Sequence, residues 1–564
     1  MSQPNPSTAL ARAVADEMAR QGVSLAVISP GSRSAALAIA FDQHPKITTR
    51  VVLDERSAAF WALGHARATG LPTVVVATSG TAVANHFPAV VEADESMVPL
   101  IVISADRPPE MLHVGANQTI DQVGLFGDRV RWFCNLGPAM SGSDDNWYWR
   151  SAVSQAAARS MGHGSRPGPV HLNIAFREPT VPVEEDGRSP VDVYPYDIDG
   201  KPGGAPWQEH RIARPGAAAV AARPDTRGLI VAGEGDYEPS PLLAIAQRIG
   251  WPILATAMSG LRGPEVVTTY HHLLVSGTPA SLRPEMVVTV GRTGPSDRLT
   301  ALTASGIPQI SIDRWGAWHD PKRQATSMLQ ADPVATLERL ASTVTPDSNW
   351  SAGWISADQT MRAVLDEAIG VGEQPTGPSV ARALSDVGWE MLVAASSMPI
   401  RDVDAHTVRG GAIQANRGAS GIDGLVSTGL GVAHVGLLTV ILSGDLSFLH
   451  DGNGFVSDQL PNAVFVVLDN GGGGLFDLLP QATHAPGFDR LFVSPHHRNL
   501  VDLATAQGLM AGTVSSVGEL VSELGQRLEA GGCHVLLVPV DREADLKRRQ
   551  TLDDAARSAV SGIS

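Results

Sequence analysis

The chain has 564 residues, 43% of them hydrophobic, with 57 glycines and 39 prolines, and length alone implies about three or four domains of ordinary size. Its formal charge of −16 disfavours nucleic acid as a partner, and no stretch approaches the roughly 18 uninterrupted apolar residues of a membrane helix. Two distant cysteines, Cys134 and Cys533, argue against a disulfide framework or a cysteine metal site, and the polar start Met1 to Leu10 lacks a signal-peptide pattern, which favours a cytoplasmic location.

Leu10, Val14 and Met18 at helical spacing predict a helix over Ser7 to Gln21, closed by Gly22 before a strand at Leu25 to Ser29. Strands follow at Thr49 to Leu53, Thr73 to Thr78, Leu100 to Ser104 and Val170 to Ile174, with a helix at Ala58 to Ala68. Such alternation implies a mostly parallel, doubly wound sheet. From Glu178 to Pro224 the pattern gives way to proline, glycine and acidic residues and reads as a linker. A second α/β block opens at Gly228 to Gly233, with strands at Pro252 to Ala255, Met286 to Val290 and Gln309 to Ile312 and a helix near Val334 to Ala341. Ser342 to Asn349 reads as a second boundary. A third block opens with a helix around Ser379 to Ser385, then strands at Met391 to Ala395, Val440 to Leu442, Val464 to Leu468 and His534 to Val538. The outer blocks share a shape, since Val74 to Gly80 and Val440 to Gly444 are both apolar strands ending in small-residue turns.

The stretch from Ser443 to Phe476 carries the densest chemistry. Its two buried strands each stop at oxygen-bearing side chains followed by glycine or serine. Asp445 and Asn470 fall at the carboxyl ends of those strands, where α/β sheets bind ligands. Hard oxygen ligands of this kind suit Mg²⁺ with a phosphate in its shell. Ordinary strand-ending turns and a flexible glycine loop would give the same letters.

Arg33, Arg107, Arg401 and Arg417 each follow a strand-like or turn segment. A single such arginine is usually a surface or ion-paired residue. A set of them in an acidic chain suits a substrate with several carboxylates, which the planar guanidinium binds bidentately. Glu55 lies between a strand and a helix, where a carboxylate also serves simply to complement the helix dipole. Asn117-Gln118 sits in a loop whose residues also fit plain turn chemistry. The pairs His271-His272 and His496-His497 have no metal-ligand spacing and read as polar surface or satisfied core residues.

Gly444-Asp445 to Asn470 resembles the metal–diphosphate motif of thiamine diphosphate enzymes, and Glu55 stands where that family has its cofactor-activating glutamate. More closely, the chain looks like the MenD family, the 2-succinyl-5-enolpyruvyl-6-hydroxy-3-cyclohexene-1-carboxylate synthases of menaquinone biosynthesis. The motifs that carry this are Ile28-Ser29-Pro30-Gly31-Ser32-Arg33-Ser34, Asp54-Glu55-Arg56, Arg107-Pro108-Pro109-Glu110, Gly115-Ala116-Asn117-Gln118 and Asn416-Arg417-Gly418-Ala419-Ser420-Gly421-Ile422-Asp423-Gly424. They cover the first and third blocks; across the middle block the likeness is only architectural.

The resemblance implies an α/β fold of three doubly wound domains with mainly parallel sheets: a pyrimidine-binding domain over 1–185, a linker and central domain over 186–350, and a diphosphate-binding domain over 351–564. It implies thiamine diphosphate with Mg²⁺, Mn²⁺ being the alternative cation. Asp445, Asn470 and the carbonyl of Gly472 would hold the metal. Glu55, the catalytic residue, would bond the pyrimidine ring, and Ile422 would wedge the cofactor into its bent form. Ser397, Gly421, Gly444, Leu446 and Ser447 would complete the cofactor site. Ser32, Arg33, Arg107, Asn117, Gln118, Ser397, Arg401 and Arg417 would hold the substrates, and Leu475, Phe476 and Leu479 would form an apolar wall.

The implied reaction is decarboxylation of 2-oxoglutarate and 1,4-addition of the resulting succinyl carbanion to isochorismate. In the family, Glu55 of one subunit completes the site of another, so a homodimer is the minimal unit and a homotetramer is expected. The metal loop Leu468-Asp469-Asn470-Gly471 departs from the commoner family pattern, which leaves open whether Asp469 touches the metal. The family's central-domain lysine has no clear counterpart, with Arg292 and Arg298 both available. The competing readings are another thiamine diphosphate enzyme, such as an acetolactate synthase or a simple 2-oxoacid decarboxylase, and a noncatalytic paralogue. Pyruvate has no distal carboxylate to meet the arginines, and a noncatalytic module has no need of Glu55, Asp445 and Asn470.

Overall fold

In the computed structural model, described over residues 4–181, 193–370 and 374–563, the long apolar runs become buried parallel strands in three separate sheets. Strands apolar on both faces need helices on both faces, and the connecting segments supply them. Among the described residues no helix is long and apolar enough to cross a membrane.

One compact unit comprises Met1–Ile212, Asn416–Leu437 and Leu449–Pro461. Its sheet runs in the order Thr48–Val51, Leu25–Ile28, Thr73–Ala77, Leu100–Asp106, Val170–Ala175, Phe133–Leu136, all parallel. The central strands are fully buried and the edge strands are not. The predicted boundary at 185/186 lies outside the described residues. Past it, part of the segment read as a linker packs on the first core: Tyr194 is buried with its ring centroid 5.2 Å from that of Trp149, and the Trp207 N–H donates to Glu17 at 2.7 Å.

Helix Leu425–Ala433 lies against helix Glu55–Thr69 at a distance only glycine allows. A Cβ on Gly64 would stand 2.1 Å from the Thr428 carbonyl oxygen, and one on Gly431 would stand 2.0 Å from that of Trp61. Asp451 closes this contact, accepting from the Ser427 N–H at 2.7 Å and from the Ser57 hydroxyl at 3.0 Å.

The other unit comprises Ala213–Ala415, Leu438–Phe448 and Asn462–Ser564 and holds two sheets. The five-stranded one runs Ser327–Gln330, Gln309–Asp313, Met286–Val290, Gly228–Ala232, Ile253–Ala255. The six-stranded one runs Ala412–Gln414, Met391–Ala394, Thr439–Gly444, Ala463–Asp469, Cys533–Pro539, Met510–Thr513. Numbered within its own block, this sheet repeats the strand order of the six-stranded sheet in the first unit. The predicted second boundary falls where helix Ser348–Ile369 begins. That helix packs against the C-terminal helix Arg542–Ser561 through Trp354, Met361, Leu365, Leu552 and Ala556.

Burial makes four histidines poor bases: His86 and His171 are held down to about 3, and His65 and His272 to about 4. Neighbouring His86, His434 and Arg298 add to burial at His171, His65 and His272 respectively. The unfolded chain protonates these rings below the ordinary histidine value and the native protein resists, so stability present above that value is lost as pH falls toward the folded pKa values. Each ring contributes up to about 1.4 kcal/mol per pH unit in that window. Buried His271 and His406 are held down in the same way, while Asp445, raised to about 6 by burial, and Asp106, Asp402 and Asp451, also raised by burial, act in the opposite sense. Urea unfolding should therefore show stability dropping from about pH 7 to about pH 5; a flat profile there would contradict neutral buried histidines.

Candidate functional site

In the second unit, Gly444 is in register with Leu468. The residues that follow, Asp445 on one strand and Asp469-Asn470 on the next, therefore leave the same sheet edge side by side. Asp445 is 2% exposed and opens helix Asp445–His450. One carboxylate oxygen accepts the Leu446 N–H at 2.6 Å and the other accepts the Gly472 N–H at 2.8 Å. Asn470 Oδ1 also lies 3.3 Å from the Gly472 nitrogen.

Gly472 has φ +148°, and a Cβ there would meet the Val493 carbonyl oxygen at 2.3 Å, so the glycine loop is a tight cradle rather than slack chain. Asp469 Oδ1 accepts the Gly471 N–H at 3.1 Å and lies 3.6 Å from His496 Nε2, which is also 3.3 Å from Asp445 Oδ2. Burial, with the Asp469 charge behind it, raises the Asp445 carboxyl to about 6 against the pull of the Leu446 N–H and His496. Two carboxylates and a carboxamide oxygen at strand ends, in a place that disfavours bare negative charge, make a donor set that fits a hard divalent cation. Ser447, the third residue of helix Asp445–His450, is also buried. His496 belongs to a pair read from sequence as surface or satisfied core; no spacing signal marked it, because it arrives from a distant loop.

A cavity of about 520 Å³ opens in the same unit. Its lining brings together Arg298 of the central block, Met398 and Arg401 of helix Met398–His406, Leu475 and Leu479 after the glycine loop, and Arg549 and Asp553 of the C-terminal helix. Ser397 caps that helix at φ +76°, a strained value for a side-chain-bearing residue, and its carbonyl accepts from Arg401 at 2.6 Å. Arg298 donates to Asp553 at 2.5 Å and to the His271 carbonyl at 2.9 Å. Arg292 instead lies 3.9 Å from Glu234 and is not part of the lining. His271, His272 and His406 also line the cavity, and neither ring nitrogen of His272 has a hydrogen-bond partner in the protein; this pair is neither surface nor fully satisfied. Phe476 stands in the short helix Gly474–Leu478, its ring centroid 5.5 Å from that of Phe492.

In the first unit the predicted residues gather at the carboxyl edge of its sheet. Arg33 is buried, donates to the Phe176 carbonyl at 2.9 Å and pairs with Glu178 at 3.0 Å. Burial, then the nearby Arg107, lowers its pKa. Arg107 donates to the Asn117 carbonyl at 3.0 Å. Gln118, at φ +52°, exchanges hydrogen bonds with Ser79 at 2.8 and 3.1 Å. Ser32 is exposed in the turn before Arg33. Buried Gln122, unmarked in the sequence, ties this loop down by accepting the Gly80 N–H at 3.0 Å and donating to Asn173 at 2.8 Å.

Glu55 opens its helix and lines a cavity of about 560 Å³ with Leu53, Asp54, Arg56, Asn85, Asn453 and Val456. Asp54 caps that helix, accepting from the Arg56 and Ser57 N–H groups. The loop bearing Arg417 and Gly421 is fastened by Glu92, whose carboxylate accepts the Gly418 and Ala419 N–H groups at 2.8 and 2.6 Å. Ile422 follows, 38% exposed.

Residues 8–125 match the family described as thiamine pyrophosphate enzyme, N-terminal TPP binding domain. A crystal structure of benzoylformate decarboxylase from Polynucleobacter necessarius covers 94% of this chain and 98% of its own at a TM-score of 0.68 and 16% identity, a likeness of fold. Three parallel-sheet α/β domains with an acidic site at strand ends thus have the architecture of thiamine diphosphate enzymes. Among curated relatives, the 2-succinyl-5-enolpyruvyl-6-hydroxy-3-cyclohexene-1-carboxylate synthase of Thermobifida fusca is 42% identical over 99% of this chain and 100% of the relative. The synthases of that name from Rubrobacter xylanophilus and Halobacterium salinarum are 38% and 37% identical, over 97% and 100% of this chain and 98% and 100% of their own. The chain belongs to the 2-succinyl-5-enolpyruvyl-6-hydroxy-3-cyclohexene-1-carboxylate synthase family.

Proposed function

We propose that this chain decarboxylates 2-oxoglutarate and adds the remaining four-carbon unit in a 1,4 sense to isochorismate, releasing carbon dioxide, as a thiamine diphosphate-dependent transferase of menaquinone biosynthesis. The observation that carries this is the strand-end pair Asp445 and Asn470 in a chain related end to end to synthases of that name. Bound thiamine diphosphate supplies the carbanion chemistry, and the protein supplies orientation and electrostatics.

Asp445, Asn470 and the Gly472 carbonyl hold Mg²⁺, or Mn²⁺, through oxygen alone. Gly444, Leu446 and Ser447 form the floor for the diphosphate, with Ser397 and Gly421 completing the cofactor site and Ile422 as its wedge. Glu55 would hydrogen-bond the pyrimidine ring of the cofactor. On this reading Glu55 and the Asp445 group serving one cofactor come from different copies of the chain, so the enzyme works as a cytoplasmic homodimer or homotetramer. The pyrimidine-binding domain occupies about 1–185, a linker and the central domain 186–350, with Tyr194 and Trp207 of that linker on the first core, and the diphosphate-binding domain 351–564.

Arg33, Arg107 and Arg417, with Ser32, Asn117 and Gln118, and Arg401, with Ser397, take the substrate carboxylates and hydroxyls. Leu475, Phe476 and Leu479 keep water out. Arg298 is the central-domain cation of this set, because it shares a cavity with Arg401, Leu475 and Leu479 and Arg292 does not.

The test is direct: purified protein with Mg²⁺ and thiamine diphosphate consumes 2-oxoglutarate and isochorismate together. Turnover of pyruvate to acetolactate instead would overturn the assignment. Within the cavity, Arg298→Ala and Arg401→Ala should each raise KM for a carboxylate substrate about 10- to 100-fold, the size of one lost charge-assisted hydrogen bond. Arg292→Ala should leave KM nearly unchanged, and a reversed order would move the substrate out of this cavity.

A further inference from the structure

We infer that His496 is a fixed hydrogen-bond donor that positions Asp445 at the metal–diphosphate site, and is not itself a ligand of the cation. The inference rests on the reading of Asp445 and Asn470 as that site. On distance alone the opposite conclusion is tempting. His496 Nε2 lies 3.3 Å from Asp445 Oδ2 and 3.6 Å from Asp469 Oδ1, and neighbouring ligands of an octahedral Mg²⁺-sized ion lie about 3.0 Å apart. The three atoms together would pass for a mixed nitrogen and oxygen metal site.

The other ring nitrogen decides the matter. The Arg498 backbone N–H donates to His496 Nδ1 at 3.0 Å. A ring nitrogen that accepts carries no proton, so the neutral imidazole keeps its proton on Nε2. A protonated Nε2 has no lone pair for a cation. Histidines that bind metals show the reverse arrangement, with the second nitrogen donating its N–H to an acceptor. Here the backbone supplies a donor where a ligand would need an acceptor.

Nε2–H therefore donates to Asp445 Oδ2 at 3.3 Å, while Asp469 Oδ1 at 3.6 Å lies beyond hydrogen-bond reach. At Asp445 it is the third donor, after the Leu446 N–H on Oδ1 and the Gly472 N–H on Oδ2. Three donors from three chain segments fix the plane of this carboxylate and leave its remaining lone pairs to the cation. The side chain of His496 is only 10% exposed, so water does not substitute for it easily. The cation shell stays all oxygen, which suits Mg²⁺ or Mn²⁺ over Zn²⁺.

The test uses the full-length protein with Mn²⁺ and thiamine diphosphate. Pulsed electron paramagnetic resonance of the loaded wild type should show no directly bound imidazole nitrogen, and such a coupling, lost in His496→Gln, would overturn the inference. By calorimetry, His496→Leu should weaken Mg²⁺-dependent thiamine diphosphate binding about 10-fold, the usual effect of removing a group that orients a metal ligand. His496→Gln, whose carboxamide still offers an N–H, should bind within about 3-fold of wild type on the same scale. Equal affinity in the Leu variant, or equal loss in both variants, would defeat the donor role. Should the leucine variant fail to fold, the resonance measurement on the wild type still decides between ligand and donor. Failure of the wild type to bind thiamine diphosphate at all would instead bring down the site assignment itself.

Discussion

Asp445→Ala is expected to weaken Mg²⁺-dependent thiamine diphosphate binding at least about 100-fold, and with it to abolish turnover at ordinary cofactor concentrations; one lost anionic ligand, together with the reorganised shell around it, supplies several kcal/mol. Asp445 is buried, receives N–H groups from Leu446 and Gly472, and is the side chain around which the glycine loop closes. Truncation leaves two backbone donors without their acceptor, each costing about 1–3 kcal/mol, as well as removing charge. Asp445→Asn separates the effects, because it keeps the shape and one acceptor oxygen but drops the charge; it should fall between wild type and alanine. The measurement is titration calorimetry of thiamine diphosphate in the presence of Mg²⁺, backed by thermal melting. Cofactor at about 100 times the wild-type Kd should stabilise the wild type by about 2.7 kcal/mol and the alanine variant by no more than about 0.4 kcal/mol. Unchanged affinity in Asp445→Ala would remove the metal–diphosphate site from this sheet edge.

Glu55→Gln should behave in the opposite way, retaining cofactor affinity within a few-fold while kcat falls about 10²- to 10⁴-fold, the span of one general acid–base contact. The sequence left a bland role open for Glu55, as a carboxylate complementing the helix dipole. The structure assigns the capping of that helix to Asp54, whose side chain takes the Arg56 and Ser57 N–H groups. Glu55, the acidic residue of the first turn, also lines the cavity beside it. Glutamine keeps the shape and a hydrogen bond but cannot exchange a proton in the same way. Steady-state rates with both substrates, set beside calorimetry of the cofactor, separate the two effects; unimpaired kcat would defeat the proposed role.

Most of the fold could be read from the chain because its central strands are buried on both faces and so appear as uninterrupted apolar runs. Val74 to Ala77, Met286 to Val290 and Val464 to Leu468 are of this kind, and their limits came out within a residue or two. The edge strands Phe133–Leu136, Ser327–Gln330 and Met510–Thr513 escaped, since one-sided burial mixes polar and apolar residues over only four positions. The strand-end positions of Asp445 and Asn470 were legible for a related reason: each follows directly on a buried apolar run. Arg298 could not be singled out from Arg292, six residues earlier, because only the fold brings Arg298, on helix Asp297–Thr303, into the cavity lined by Arg401. His496 carried no signal, as its partners Asp445 and Asp469 are far away along the chain.

The sequence by itself determined the chemistry available at the ends of the strands: Asp445 and Asn470 after two apolar runs, Glu55 after another, and arginines at comparable turns. That information is local, carried by residue type and by spacing within a strand or loop. Tertiary structure alone decided which of these groups meet, and in what protonation state. The register of Gly444 with Leu468 set Asp445 beside Asp469, and the C-terminal helix walled a cavity around Arg298 and Arg401. A single backbone N–H, that of Arg498, selected the tautomer of His496. Such choices depend on packing between segments distant in the chain, where neither periodicity nor local motif reaches.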